Sequence, residues 1–117
     1  MDDAELKAFQ EVYELQKKLH PLAYVLMMPA LTRAARQCGY ALAWHGSLTR
    51  DFDIIAVPWT EDAVSAEELV AAVIEAVDLL VDTTQTPTVK PHGRRTWSLL
   101  CKEGHLYLDF SVMPRLV

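Results

Sequence analysis

Nowhere in these 117 residues do Lys and Arg gather into a run, and the net charge is −5. Gripping a nucleic-acid backbone unaided takes clustered cations, so direct nucleic-acid binding is not expected. A long apolar run is missing too. The longest, Leu22 to Leu31, contains Pro29. At about ten residues it is too short to cross a bilayer, so no membrane partner is expected. The N-terminus is acidic and amphipathic and does not read as a signal peptide. Only two cysteines occur, Cys38 and Cys101, in apolar surroundings and without CxxC spacing. That favours two reduced thiols in a cytoplasmic protein over a disulfide. Repeats, low-complexity segments and linkers are also lacking, and the length suits one domain over residues 1–117. With 51% hydrophobic and 23% charged residues, an ordinary globular core is within reach.

Periodicity supplies the elements. Leu6, Phe9, Val12, Tyr13 and Leu19 form one stripe of a helix over 3–19, which Pro21 is expected to end. A second helix over 22–38 is kinked or broken at Pro29, with Gly39 as its C′ residue. Tyr40 to His45 and Asp51 to Val57 read as strands, the latter buried on both faces through Ile54-Ile55-Ala56-Val57. A third helix, 65–81, opens with a capping box of Ser65 and Glu68. Residues 84–90 read as a Thr-rich edge strand, because Pro87 suits an edge. Arg95–Lys102 and Leu106–Val112 read as a hairpin around Glu103-Gly104. The order ααββαβββ predicts an α+β domain: a mixed, mostly antiparallel sheet with helices on one face. Trp44, Trp59 and Trp97 are expected in or beside the core.

The stretch from His45 to Trp59 carries the chemistry. Asp51 and Asp53 open a strand two residues apart and so project from one face. In the last strand Leu106, Leu108, Phe110 and Val112 share one face, and Tyr107, Asp109 and Ser111 the other. Asp109 thereby joins the two aspartates on the face away from the helices. At about 5 Å and an effective dielectric near 20, each carboxylate pair repels by about 3 kcal/mol. A divalent cation removes that cost, and Mg²⁺ takes one or two carboxylates plus substrate phosphates. Blander readings exist for each residue. Asp51 can cap a turn, Asp109 can belong to a plain polar face, and Arg94-Arg95 can be a solvated pair. His45 reads as structural, and a transition-metal site with His45 and His105 has no supporting spacing.

Gly46-Ser47, then Asp51-Phe52-Asp53-Ile54, then Asp109 within Tyr-Leu-Asp-Phe-Ser resembles the nucleotidyltransferase superfamily. The likeness is to its polymerase-beta-like and minimal members, over roughly residues 30–112. The chain is also similar to small proteins of tailed phages, which implies a phage or prophage setting and the host cytoplasm. The superfamily resemblance implies Mg²⁺-dependent nucleotidyl transfer from an NTP to a hydroxyl. Asp51, Asp53 and Asp109 would hold metal, and Gly46 and Ser47 would grip the phosphates. It also implies a protein partner or a homo-oligomer. In the family about ten residues, beginning a helix, separate Ser from the first Asp; here Leu48, Thr49 and Arg50 alone intervene. Arg50, Arg94 or Arg95 would then replace the missing helix N-terminus at the phosphates. The alternative is a non-catalytic binding or assembly module of the same fold.

Overall fold

A computed structural model of the chain describes residues 1–46, 48, 51–78, 80–83, 86–101 and 106–115. It begins with one helix, α1 (Asp3–Gln37), of 35 residues. Asp2 caps it by accepting a 2.8 Å hydrogen bond from the Glu5 amide. The expected pair of helices is therefore a single one, with Pro21 and Pro29 both inside it. An internal proline removes a hydrogen bond and costs about 3 kcal/mol. Apolar phase explains the continuity. Leu6, Phe9 and Tyr13 before Pro21 fall on the same helical phase as Tyr24, Met27 and Leu31 after it, so an unbroken helix presents one stripe. Tyr24, Leu31 and Ala35 are fully buried, and their packing offsets the lost bonds.

Gly39 ends the helix at φ 87°. A Cβ there would lie 2.8 Å from Ala63 Cα and would strike the Thr60 hydroxyl as well. Its carbonyl also accepts the Trp59 amide at 2.8 Å, which ties the start of the sheet to its first return.

Strands β1 (Tyr40–His45) and β2 (Asp51–Pro58) pair antiparallel, with Tyr40 opposite Pro58 and His45 opposite Asp53. Helix α2 (Ala66–Ala76) follows. The Ser65 hydroxyl accepts from the Glu68 amide at 3.2 Å and donates to its carboxylate at 3.0 Å, the expected capping box. The helix stops five residues short of the predicted end at 81. Val77 is extended, and Leu80 is drawn into β3 (Leu80–Asp82) opposite Cys101. Then come β4 (Thr88–Val89), a short 3-10 turn over Pro91–Gly93, β5 (Arg95–Cys101) and β6 (Leu106–Val112). Of the predicted edge strand 84–90, Thr88 and Val89 pair with β5; residues 84 and 85 lie outside the described residues.

The sheet order is β1-β2-β6-β5-β3, with β4 beside β3 on the outer edge of β5. Among the described residues β2 and β6 are the one parallel pair. The result is an α+β domain with a mostly antiparallel mixed sheet, as predicted. Both helices cover one face. Beneath them lie Phe52, Ile54, Leu99, Leu108 and Phe110, each with no exposed surface. The Tyr24 ring on α1 sits 4.9 Å from that of Phe52. Trp97 is in the core, but Trp44 is half-exposed on the edge strand and Trp59 is 78% exposed. Trp59 follows the strand-ending Pro58, where the chain has left the helices' cover. Cys38 and Cys101 are free thiols, and burial pushes the Cys38 thiol up from its ordinary value. Among the described residues no helix is long and apolar enough to cross a membrane.

The molecule is elongated. Its radius of gyration is 16.2 Å and its longest axis 59 Å, whereas a compact chain of this length gives about 13 Å. The excess is the N-terminal half of α1, which runs past the sheet with residues 1–15 all exposed.

Candidate functional site

The open face of the sheet is polar because strand parity makes it so. Phe52, Ile54 and Ala56 turn under the helices, which sends Asp51 and Asp53 the other way. On β6, buried Leu108 and Phe110 likewise send Tyr107, Asp109 and Ser111 to the open side. The register then aligns a row across four strands: His45 opposite Asp53, Asp53 opposite Asp109, Asp109 opposite Ser98. Residues directly opposite share a face at about 4.5–5.5 Å between Cβ atoms. The neighbouring row is Ile55, Ser111, Thr96 and Thr88.

Asp53 and Asp109 stand directly opposite each other on adjacent parallel strands, close enough for each charge to act on the other. The Asp109 carboxyl is raised from its ordinary value. Burial is the chief cause, followed by the charges of Asp51 and Asp53, while Lys90 pulls it down. Asp51 acts on this pair through its field from an exposed position one row away, opposite Tyr107. Among the described residues no group of three His, Cys, Asp or Glu gathers at metal-holding distance.

Gly46 is shaped by this pair. It stands at φ 87°, and a Cβ on it would come within 2.9 Å of Asp53 Oδ2. The bare backbone leaves room for the carboxylate, a role that the sequence motif did not disclose. Ser47 and Arg50, both named as phosphate contacts, lie outside the described residues.

The two remaining arginines part company. Arg94 lines an open pocket of about 280 Å³ together with His45, Asp53, Lys90, Asp109 and Ser111. Its Nη1 donates to Ser111 Oγ at 3.4 Å, and Ser111 Oγ is 2.8 Å from Thr96 Oγ1. Arg95 points to the helix side, where it pairs with Glu67 at the start of α2 and lies 5.2 Å over the Trp97 ring. Alternation along a strand separates adjacent residues in just this way. Sequence reasoning missed Lys90. It has the parity of Thr88, which faces the site's second row. The turn that follows, with His92 and Gly93 at positive φ, folds back so that the Lys90 amide donates to the Arg94 carbonyl at 2.8 Å. Two cations thus flank two carboxylates.

The donor set at the pair is hard oxygen. Such a set fits Mg²⁺, which needs no more than one or two carboxylates when substrate phosphates complete its shell. No family model matches the chain, and no curated protein matches it either.

Proposed function

We propose that the chain is a small nucleotidyltransferase-like protein that moves a nucleotidyl group from an NTP to a hydroxyl, with Mg²⁺ as cofactor. The observation that carries this reading is the directly opposed Asp53–Asp109 pair in one open pocket with Lys90 and Arg94. Asp53 and Asp109 would hold the ion, with Asp51 adding charge beside them. Bound Mg²⁺ would polarise the phosphate and stabilise departing pyrophosphate. Arg94 and Lys90 would pair with the phosphate oxygens, the arginine as a fork and the lysine as a point charge. The acceptor hydroxyl attacks the α-phosphorus, the bond to pyrophosphate breaks, and the hydroxyl proton passes to a carboxylate oxygen.

A second reading has its own support. Five residues, 46–50, join the antiparallel partners His45 and Asp51, leaving no length for a phosphate-facing helix there. That favours the same pocket as a non-catalytic nucleotide or anion binder.

Calorimetry with Mg²⁺ and a non-hydrolysable NTP tests both readings. Arg94→Ala should weaken binding by about 1.5–3 kcal/mol, the scale of a charge-assisted bond. Arg95→Ala, on the other face, should leave it unchanged. Asp53→Asn should abolish the Mg²⁺ dependence. NTP binding that ignores Mg²⁺ and Asp53 selects the binder, and equal affinity in all variants rejects both readings.

A further inference from the structure

The protruding half of α1 carries a second apolar seam, separate from the stripe that faces the sheet. Ala8, Val12, Leu15, Leu19, Leu22 and Leu26 follow one another at alternating intervals of four and three residues. That is the spacing of a coiled-coil seam. All six are exposed, Leu26 to 71% and Val12 to 56%. At 100° per residue the seam stands roughly 140° round the helix from Tyr24 and Leu31, which enter the core. Among the described residues its phase is covered at one place. From Ala30 onward, Ala30, Arg33 and Ala34 line a groove with Ala72 and Ala76 of α2. N-terminal to that point Leu15, Leu19, Leu22 and Leu26 are exposed.

We infer that this seam pairs with the same seam of a second copy of the chain, the two α1 helices running antiparallel. The inference is independent of the nucleotidyl-transfer reading. An antiparallel register sets all six seam positions against all six of the other copy: Ala8 against Leu26, Val12 against Leu22, Leu15 against Leu19. No charged residue falls within it. The five large side chains, each more than half exposed, would bury about 500 Å² per copy. With flanking atoms the pair approaches the roughly 1,200 Å² of a specific interface.

Charge chooses the direction. A parallel pair would stack the acidic first turn, Asp2, Asp3 and Glu5, on itself. The antiparallel pair sets that turn beside Arg33 and Arg36, which outnumber the neighbouring Glu75. Opposed helix dipoles add to the preference. A lipid surface is the poorer occupant. Interfacial helices carry Lys- and Arg-rich polar faces, whereas acids outnumber bases five to three over residues 2–19.

Sedimentation equilibrium of the full chain tests the pairing. The mass should rise with concentration from 13.2 kDa toward twice that value. Leu19→Glu places two charges at the centre of the seam and should weaken dimerisation at least tenfold. A melt matching that of wild type at concentrations where both are monomeric shows that the body still folds. Oxidising a mixture of Leu15→Cys and Leu19→Cys should favour the mixed disulfide over either like pair, mapped by mass spectrometry against the native thiols. A chain that stays monomeric at several hundred micromolar overturns the inference, as does a dimer indifferent to Leu19→Glu. Like-with-like crosslinks overturn the antiparallel order. A monomer that moves onto lipid vesicles gives the seam to a membrane surface instead.

Discussion

The two faces of this sheet are built from the same strands and obey opposite rules. On the covered face every second residue of β2 and β6 is apolar and buried, and a ring of α1 lies on Phe52. On the open face the intervening residues include three aspartates, two of them directly opposed in a parallel pair. Burial of a large apolar side chain stabilises by about 1.5–3 kcal/mol. Opposed carboxylates act the other way. The covered face therefore stabilises the fold, and the open face carries a cost that a bound ligand can relieve. The comparison is sharpest within single strands, where Phe52 and Asp53 are neighbours in sequence and belong to different functions.

The largest expected effect lies on the covered side. Phe52 is fully buried between Tyr24 and Trp44, with ring centroids at 4.9 and 6.1 Å. Phe52→Ala should destabilise the protein by about 3–5 kcal/mol in urea unfolding. A loss below about 1 kcal/mol would mean that the site collapses freely, and the contrast between the faces would fail.

An intermediate effect is expected at the rim of the open face. Gly46→Ala forces a Cβ into the left-handed region and against Asp53 Oδ2. The backbone alone should cost about 1–2 kcal/mol. Because the clash is with a carboxylate, the variant should also lose Mg²⁺-induced stabilisation. In the wild type that stabilisation is about 1.4 kcal/mol at tenfold excess over the dissociation constant. A Gly46→Ala protein with reduced stability and an intact Mg²⁺ response would separate the glycine from the pair.

Much of this was legible before any coordinates. Strand parity placed Asp51, Asp53 and Asp109 on one face, and the limits of β6 follow directly from the alternation of Leu106, Leu108, Phe110 and Val112. Two kinds of information were missing. One was phase across a breaker: Pro21 reads as a stop, yet the apolar stripe keeps its phase through it, and tertiary burial of Tyr24 and Leu31 outweighs the proline. The other was cross-strand register. Arg94 and Arg95 are equal candidates in sequence; alternation separates them, and the pairing of Thr96 with Ser111 and Ser98 with Asp109 fixes Arg95 on the face away from the aspartates. Lys90 escaped notice because it lies just past a strand of two residues, too short to show a parity in the sequence.

The smallest effect tests the open face by itself. Asp109 is half-buried, and its carboxyl is raised by burial and by the charges of Asp51 and Asp53. A carboxyl raised on folding binds more protons in the native than in the unfolded state, so its contribution to stability falls as pH rises. The cost is absent below the ordinary carboxylate range, appears as the pH climbs through it, and is complete above the raised value. Asp109→Asn keeps the shape and removes the charge. In EDTA at neutral pH it should be more stable than wild type by about 1 kcal/mol after solvent screening. The difference should shrink steadily as both proteins are titrated toward pH 4. Comparing the two proteins at each pH cancels the acid response of the other carboxylates. Were Asp109 merely a hydrogen-bonded residue on a polar face, the order would reverse: Asn would be the less stable at neutral pH, and acid would narrow the gap from the other side.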